Sequence, residues 1–369
     1  MTGLVVHEWV EKLGGSEKVL DEILQAFPDA DLHVLWNDAP GRFAAQPSES
    51  WLATTPLRRS KVLALPTMPI VWRSMRARQR YEWMLVSSHL FAHHAKLRGA
   101  TQPPKLVYAH TPARYIWVPE LDQRGKRPLA RAASAAFKPI DRRRAQEATS
   151  IAANSRFTRE RIRMAWNRDA EVIYPPVDVE TIQSINDWAM RLTDHEAEAL
   201  GNLPETFILG ASRFVSYKRL DLAIDVAAAA DVPVVLAGRG PERAALATYA
   251  TTVGAEAIFV DNPSDEMLYA LYQRARAYVF AAVEDFGIMP VEAMAVGTPV
   301  ISGPTGGVAE SVIDGATGVT VHDWADLTTL RQAVDAVGAL DPGRIAARAS
   351  EFSRATFHTN LNTWLETHT

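Results

Sequence analysis

Cysteine is absent from this chain of 369 residues. Its absence excludes disulfide bonds, zinc–thiolate sites and cysteine nucleophiles. A chain that has no disulfides fits a reducing compartment, and we therefore expect a cytoplasmic location.

Long apolar runs are lacking as well. The best candidate for a membrane span, Leu222–Gly238, is interrupted by Asp225 and Asp231, whereas a spanning helix needs about 18 or more apolar residues in succession. The first residues, Met1–Lys12, include glutamates and no long apolar stretch, so we expect neither a secretory signal nor a span.

Acidic residues are scarce in residues 56–144, a segment that we call the basic strip. It holds 19 Lys and Arg against 4 Asp and Glu, although the whole chain has a formal net charge of −4. We expect the strip to meet an anionic partner, either a membrane surface, a lipid phosphate or a nucleic acid. The alternative is a solvated surface whose cations are paired. No nucleic-acid recognition motif accompanies the strip, so nucleic acid is not expected.

The strip's cations are interleaved with Trp72 and Trp83, which are either interfacial anchors or core residues. The cations that motivate the hypothesis are Arg58, Arg59, Lys61, Arg73, Arg76, Arg78, Arg80, Arg124, Lys126, Arg127, Arg131, Arg142, Arg143 and Arg144. Because they lie in the first half of the chain, we expect peripheral, reversible binding of that half to the inner face of the membrane.

Short apolar runs of strand type alternate with helix-length segments along the chain. This alternation predicts an α/β protein with two doubly wound parallel sheets, whose strands are buried on both faces. A polar region that opens with Pro175-Pro176 separates the two series of strands. We expect domains at 1–180 and 181–350, and a C-terminal helix at 351–369 that crosses back to the first domain.

Two glutamates bracket the strongest motif, which follows an apolar strand and leads into a helix. Its residues are Glu284-Asp285-Phe286-Gly287-Ile288-Met289-Pro290-Val291-Glu292. Backbone amides at the start of that helix would form an anion site, and we expect Glu292 in its first turn. Carboxylates at the carboxyl end of a strand can accept hydrogen bonds from sugar hydroxyls. The alternative is that Glu284 is an ordinary acid in a surface loop and that Glu292 only interacts favourably with the helix dipole.

A second motif, Ala211–Arg219, lies between a predicted strand and a helix. Arg213 and Lys218 stand five residues apart in this loop. Two cations at a carboxyl strand end can hold a diphosphate, Arg through its planar fork and Lys as a point charge. The alternative is ordinary surface basicity at a helix start.

Two weaker signals also follow predicted strands. Gly14-Gly15 lets a ligand approach the backbone, and Ser16 is placed to cap the next helix; a plain turn is the alternative. His110 can orient a sugar or move a proton, although a lone histidine more often has a structural role.

Together these motifs resemble the family-four retaining glycosyltransferases of the GT-B fold, over nearly the whole chain. The E-x(7)-E pair is Glu284/Glu292 and the R-x(4)-K pair is Arg213/Lys218. The segments that also resemble the family are Gly14-Gly15, Ala153–Thr158 and Val172–Asp178. Val5–Trp9 and His110–Trp117 resemble a bacterial branch that is rich in GDP-mannose-dependent mannosyltransferases of polysaccharide and glycolipid synthesis.

The resemblance implies an N-terminal acceptor-side domain and a C-terminal nucleotide-sugar domain that face a central cleft. It implies that Arg213 and Lys218 hold the diphosphate leaving group, that Glu284 binds the donor sugar and that His110 contacts it. The residues implied in donor binding are Gly14, Gly15, Phe286, Gly287, Ile288, Met289 and Glu292, with Glu292 on the ribose.

The resemblance further implies retention of configuration, no metal and no cofactor. The donor substrate would be a nucleotide diphosphate sugar, with mannose as the preferred hexose, and the acceptor a glycan or a lipid-linked sugar. The sequence agrees on the metal, because no D-x-D and no tight His/Asp/Glu cluster stands at a predicted strand end. The positive charge would instead come from Arg213, Lys218 and a helix N-terminus.

Two other functions are compatible with the same fold. One is a sugar-nucleotide epimerase of GT-B type, which the E-x(7)-E and R-x(4)-K pairs disfavour. The other is a non-catalytic sugar-nucleotide-binding protein, which is disfavoured because Lys218 and Glu284 are both retained.

Overall fold

The computed structural model describes residues 2–12, 14–117 and 128–369. The chain forms two compact units, Met1–Pro176 together with Ala355–Thr369, and Val177–Arg354. Each unit contains a parallel sheet and helices, so the predicted α/β class is confirmed. Three cations of the basic strip, Arg124, Lys126 and Arg127, lie outside the described residues.

The first unit is built on a seven-stranded sheet in the order β3-β2-β1-β5-β7-β8-β9, and β4 pairs with β6 separately. All of these pairings are parallel. The strands are β1 (Gly3–His7), β2 (Asp31–Val34), β3 (Ser48–Glu49), β4 (Met75–Arg76), β5 (Trp83–Ser88), β6 (Leu97–Arg98), β7 (Lys105–Ala109), β8 (Ser150–Ala153) and β9 (Glu171–Val172). The helices are α1 (Gly15–Ala26), α2 (Lys61–Ala64), α3 (Met68–Trp72), α4 (Arg114–Trp117), α5 (Pro128–Ala145) and α6 (Arg156–Trp166).

The central strands of this sheet are buried on both faces. Alternate side chains point to opposite faces of a strand, and Leu4 and Val6 accordingly join one apolar cluster while Val5 joins another. The same division separates Val86 from Leu85 on β5. Near-continuous apolar strands are therefore what a sheet covered on both sides requires.

The second unit has a six-stranded parallel sheet in the order β12-β11-β10-β13-β14-β15. Its strands are β10 (Ile208–Ala211), β11 (Val234–Gly238), β12 (Ala257–Asp261), β13 (Ala277–Phe280), β14 (Val300–Ser302) and β15 (Gly318–Thr320). Its helices are α7 (Val179–Ser184), α8 (Asp194–Gly201), α9 (Asp221–Ala230), α10 (Arg243–Val253), α11 (Asp265–Arg274), α12 (Ile288–Ala295), α13 (Val308–Ser311), α14 (Leu327–Val337) and α15 (Pro342–Ala349).

The chain builds this sheet outward from β10 in one direction and outward from β13 in the other. The loops that follow β10 and β13 therefore leave the same edge of the sheet side by side, and the chain then continues in opposite directions along the sheet. In open α/β sheets such a switch in strand order creates the crevice that receives ligands.

The last helix, α16 (Arg354–His368), contributes its apolar side to the core of the first unit. Phe357, Leu361 and Trp364 are buried in the cluster that contains Val5 and Leu85. The indole of Trp364 donates a hydrogen bond of 2.8 Å to Ser150 Oγ on β8. Within the described residues, no helix combines the length and the apolar character that crossing a membrane requires.

Trp364→Ala is expected to lower the free energy of unfolding by about 3–5 kcal/mol, because it removes a large buried side chain and leaves a cavity. Urea denaturation followed by circular dichroism measures the change. The control is Glu366→Ala, an exposed position on the same helix, which should alter the midpoint little. Equal midpoints for the two variants would contradict the role assigned to α16.

Candidate active site

Lys218 and Glu284 form an ion pair at the switch point of the second sheet. Lys218 ends a 3₁₀ turn, Ser216–Lys218, in the loop after β10, and Glu284 lies in the loop after β13. β10 and β13 are neighbours, which explains why side chains 66 residues apart meet. The two side chains are only 11% and 21% exposed, so the pair is partly shielded from water and ions.

Arg213 lies in the same loop as Lys218 and is exposed. Its guanidinium donates a hydrogen bond to the hydroxyl of Tyr217, and it makes no ion pair within the part of the chain that the structure describes. Its charge therefore remains available to an anion, in contrast to that of Lys218.

The loop that carries Arg213 is held by a buried anchor and a glycine. Phe214 is fully buried, and its amide donates to the carbonyl of Arg239 at 2.8 Å. A Cβ on Gly240 would lie 2.4 Å from the carbonyl oxygen of Phe214. Only glycine permits this approach, so the loop after β11 fixes the loop after β10.

A similar combination of a backbone hydrogen bond and a close glycine contact holds the loop that carries Glu284. The amide of Gly307 donates to the carbonyl of Glu284 at 2.9 Å, and a Cβ on Gly307 would lie 2.3 Å from Phe286 Cα. The ring of Phe286 is buried and lies 5.5 Å from that of Phe352, centroid to centroid. Both loops are thus positioned by backbone contacts that a side chain would break.

Helix α12 begins directly after this loop, with Gly287 as its N-cap residue. Ile288 and Met289 form its start, and Pro290 occupies the third helical position, where the missing N–H costs no helical hydrogen bond. Glu292 is the fifth residue of the helix, in the second turn and not in the predicted first turn. It is buried at 7% exposure.

Tyr278 on β13 is completely buried. Burial raises the pKa of Tyr278 well above its usual value, and the charges of Glu284 and Glu292 add to the effect. The hydroxyl of Tyr278 donates to the carbonyl of Ala211 at 3.0 Å. A protonated Tyr278 therefore ties β13 to the end of β10, where the Arg213 loop starts.

In the first unit, His110 follows the carboxyl end of β7 and lies beside side chains from two neighbouring strands. Its Nε2 is 2.8 Å from Ser87 Oγ on β5, and Ser87 Oγ is 3.0 Å from Nδ1 of His7 on β1. Burial, with the nearby His89 and His7, lowers the pKa of His110 to about 3. His110 is therefore neutral at physiological pH.

A buried carboxylate, Glu8, completes this group. Its Oε1 accepts the amides of Leu90 and Ala92 at 2.8 and 2.9 Å, and its Oε2 lies 3.3 Å from Nδ1 of His89. From the sequence, His7 and Glu8 were noted only as part of the Val5–Trp9 segment, and Ser87 and His89 were not singled out. These residues lie at or just after the carboxyl ends of β1 and β5, which could have drawn attention to them. The pairing of His7 with Ser87, however, depends on the strand register, which the sequence does not reveal.

At the start of α1, the structure corrects the prediction for Ser16. Ser16 lies inside the helix, and its hydroxyl donates to Glu17 Oε2 at 2.8 Å. Glu17 is buried, and its other oxygen accepts the amide of Glu11 at 3.1 Å. A Cβ on Gly14 would lie 2.0 Å from Glu17 Oε2, so a larger residue there would require the Glu17 carboxylate to move. The donor-binding role of Gly14 and Gly15 stays a prediction.

His93, His94 and Asp141 form a buried polar cluster that was not expected from the sequence. The side-chain atoms of His93, His94 and Asp141 that could hold a metal lie within 4.8 Å of one another. Asp141 Oδ1 lies 3.0 Å from His94 Nε2, and its Oδ2 accepts the indole N–H groups of Trp117 and Trp166, each at 2.7 Å. Through these hydrogen bonds the buried carboxylate of Asp141, on α5, is linked to Trp117 on α4 and to Trp166 on α6. This structural role is sufficient to explain its burial.

Residues 193–342 match the family described as Glycosyl transferases group 1, and residues 13–181 match Glycosyltransferase Family 4. A mannosyltransferase of Mycolicibacterium smegmatis, described as GDP-mannose-dependent alpha-(1-6)-phosphatidylinositol monomannoside mannosyltransferase, is 33% identical over 56% of this chain and 57% of its own. The D-inositol 3-phosphate glycosyltransferase of Mycobacterium sp. strain JLS is 30% identical over 57% and 49%. The chain thus spans about half the length of these curated relatives.

Solved structures extend the likeness over the full chain. Anabaena HepE in complex with UDP-glucose superposes with a TM-score of 0.70 at 19% identity, covering 99% of both chains. Sucrose-phosphate synthase from Thermosynechococcus elongatus gives a TM-score of 0.71 at 18% identity over 99% of this chain and 98% of its own. These identities establish the fold alone. Because the two family matches between them cover both units, the chain belongs to the family-4 glycosyltransferases and has the GT-B fold.

Proposed function

We propose that this protein is a retaining glycosyltransferase that moves a hexose from a nucleotide diphosphate sugar to a glycan or lipid-linked acceptor. The observation that carries the proposal is the Lys218–Glu284 pair at the switch point of the second sheet, beside the start of α12. Mannose is the preferred sugar and GDP-mannose the preferred donor, because a relative is named as GDP-mannose-dependent. Polysaccharide or glycolipid synthesis is the corresponding role.

The proposed donor site has cations and backbone amides for the diphosphate, and carboxylates for the hydroxyls of the sugar and the ribose. Lys218 and the unpaired Arg213 supply two cations for the diphosphate, and the backbone amides at Gly287, Ile288 and Met289 face the N-terminal end of α12, where anions are favoured. Glu284 accepts hydrogen bonds from the sugar, and Glu292 binds the ribose. Lys218 is paired with Glu284, so the donor must compete for that lysine.

Departure of the nucleoside diphosphate develops negative charge on the leaving oxygen. Arg213 and Lys218 stabilise that charge more strongly in the transition state than in the bound donor, which is the requirement for catalysis. Both loops are fixed by the glycine contacts described above, so little reorganisation accompanies the reaction. A GT-B epimerase would use the same donor site, and a glycosylated product distinguishes the two functions.

Lys218→Ala and Glu284→Ala are each expected to lower kcat by about 10²–10³-fold, since each removes a group from the reacting centre. Radiolabelled or mass-spectrometric detection of the glycosylated product measures the effect. The matched controls are Arg243→Ala and Asp261→Ala, which break an exposed ion pair of 2.7 Å in the same unit and should leave transfer unchanged. Near-normal turnover in a folded Lys218→Ala or Glu284→Ala protein would contradict the assignment.

We further propose that transfer needs no metal, because Arg213, Lys218 and the α12 terminus provide the positive charge. Full activity is expected to survive excess EDTA, and the melting temperature is recorded in parallel. The parallel measurement separates a loss of stability, which a metal at His93, His94 and Asp141 would produce, from a loss of chemistry. Activity that disappears at an unchanged melting temperature, and returns with magnesium or manganese, would contradict the proposal.

The acceptor is proposed to be lipid-linked, with the protein cytoplasmic and bound to the inner membrane face. Trp72 and Trp83 are buried, so they are core residues and the interpretation as interfacial anchors is wrong. Three other apolar side chains of this segment, Val62, Leu63 and Ile70, are 60–66% exposed on α2 and α3.

The cations of residues 58–80 divide into two groups. Arg58, Lys61 and Arg73 pair with acids from outside or beyond the strip, namely Asp38, Glu11 and Glu147. Exposed cations without an ion pair among the described residues are Arg59, Arg76, Arg78 and Arg80. Part of the strip is therefore a surface whose cations are paired with acids. The four unpaired arginines are the part of the strip that is available to anionic lipid.

Vesicles that contain anionic lipid are expected to sediment the protein at low salt and to release it at high salt, because salt screens exposed charges. Replacing Val62, Leu63 and Ile70 by Ser should weaken sedimentation. Met164→Ser, an exposed apolar position on α6, is the control and should not. Equal binding to neutral vesicles, or none at low salt, would contradict membrane docking and favour a soluble acceptor.

A further inference from the structure

Three side chains form a hydrogen-bonded line across three adjacent strands of the first sheet. His7 ends β1, Ser87 lies near the end of β5, and His110 directly follows β7. The parallel register places His7 opposite Ser87, and Ser87 opposite Tyr108. Ser87 Oγ lies 3.0 Å from His7 Nδ1 and 2.8 Å from His110 Nε2.

The chemistry of a hydroxyl gives this line a direction. Ser87 has one O–H hydrogen, so between two ring nitrogens it donates to one and accepts from the other. Either His7 donates to Ser87 and Ser87 donates to His110, or both bonds run the opposite way. The two directions place the proton of neutral His110 on different nitrogens.

Burial selects between the two directions. His7 and Ser87 are completely buried, and His7 Nε2 has no partner in hydrogen-bond geometry. Both directions leave Nε2 without a partner among the described residues, but an unpaired buried N–H group is rarer than an unpaired buried acceptor. The proton is therefore placed on Nδ1, which donates to Ser87 Oγ. The line therefore runs from His7 Nδ1–H to Ser87 Oγ, and from Ser87 O–H to His110 Nε2.

We propose that His7 and Ser87 are positioning residues that hold His110 in its Nδ1–H tautomer, as a neutral hydrogen-bond donor. Its ligand would be an oxygen of the transferring sugar, and this part rests on the proposed function. With Nε2 occupied by Ser87, His110 orients the sugar and does not accept a proton from it. The low pKa of His110, about 3, agrees with a ring that stays neutral.

Among the described residues, His89 and Glu8 lie beside this line, and the charge of Arg42 also acts on His7. The ring of His89 lies 5.6 Å from that of His7 and 6.3 Å from that of His110, centroid to centroid. The carboxylate of Glu8 lies 3.3 Å from Nδ1 of His89 and accepts the amides of Leu90 and Ala92. Burial and the neighbouring His89 lower the pKa of both His7 and His110, which favours the neutral form of each ring.

The tautomer is measured directly from the ring nitrogen chemical shifts of ¹⁵N-histidine-labelled protein, with His110 assigned by its loss in His110→Gln. The expected spectrum has a protonated Nδ1 and an unprotonated Nε2 for His110. Ser87→Ala should remove this preference. His7→Asn should preserve it, because the Asn side-chain nitrogen replaces Nδ1 as a donor, whereas His7→Leu should not. A wild-type His110 protonated on Nε2 overturns the inference, whatever the activity.

Kinetics test the catalytic consequence separately. Ser87→Ala is expected to lower kcat about 10-fold with a smaller effect on KM. Adding Ser87→Ala to His110→Gln should cost little more than His110→Gln alone, because both act through one group. Additive losses in proteins of unchanged melting temperature would show that Ser87 acts elsewhere and overturn the positioning role. Absence of transfer in the wild type would refute the proposed function while leaving the tautomer assignment standing.

Discussion

The ion pair between Lys218 and Glu284 is the interaction on which the account of this protein depends. It exists because β10 and β13 are neighbours although the chain inserts two strands and three helices between them. The reversal of strand order directs two loops, one with cations and one with a carboxylate, to the same edge of the sheet. The partial burial of the pair gives its charges more effect than they would have in open water.

Rigid support for the pair comes from backbone contacts. Gly240 and Gly307 each lie against a neighbouring loop at distances that exclude a side chain, and Phe214 and Phe286 anchor the same loops in the interior. Two flexible surface loops would spend part of the donor's binding energy on ordering. Loops held in this way can meet the diphosphate with their charges already placed.

The sequence was sufficient to predict the alternation of strands and helices, because buried parallel strands are apolar throughout and their ends are marked by polar loops. It also directed attention to Glu284 and Lys218, since each follows a strand. It could not predict the His7–Ser87–His110 line or the His93–His94–Asp141 group, which depend on strand register and on α5 packing beneath a distant turn. Ser16 was misassigned as a cap because α1 begins at Gly15, one residue before Ser16, and Gly14 is the N-cap residue.

The central claim is that the second sheet binds a nucleotide diphosphate sugar through Lys218. The most direct measurement is the shift in melting temperature of the wild type and of Lys218→Ala with GDP-mannose, UDP-glucose and ADP-glucose. A donor present at about 100 times its dissociation constant stabilises the folded state by roughly 2.7 kcal/mol. The account predicts such a shift for the wild type, largest with GDP-mannose, and its loss in Lys218→Ala. Equal shifts in both proteins, or none with any donor, would contradict it.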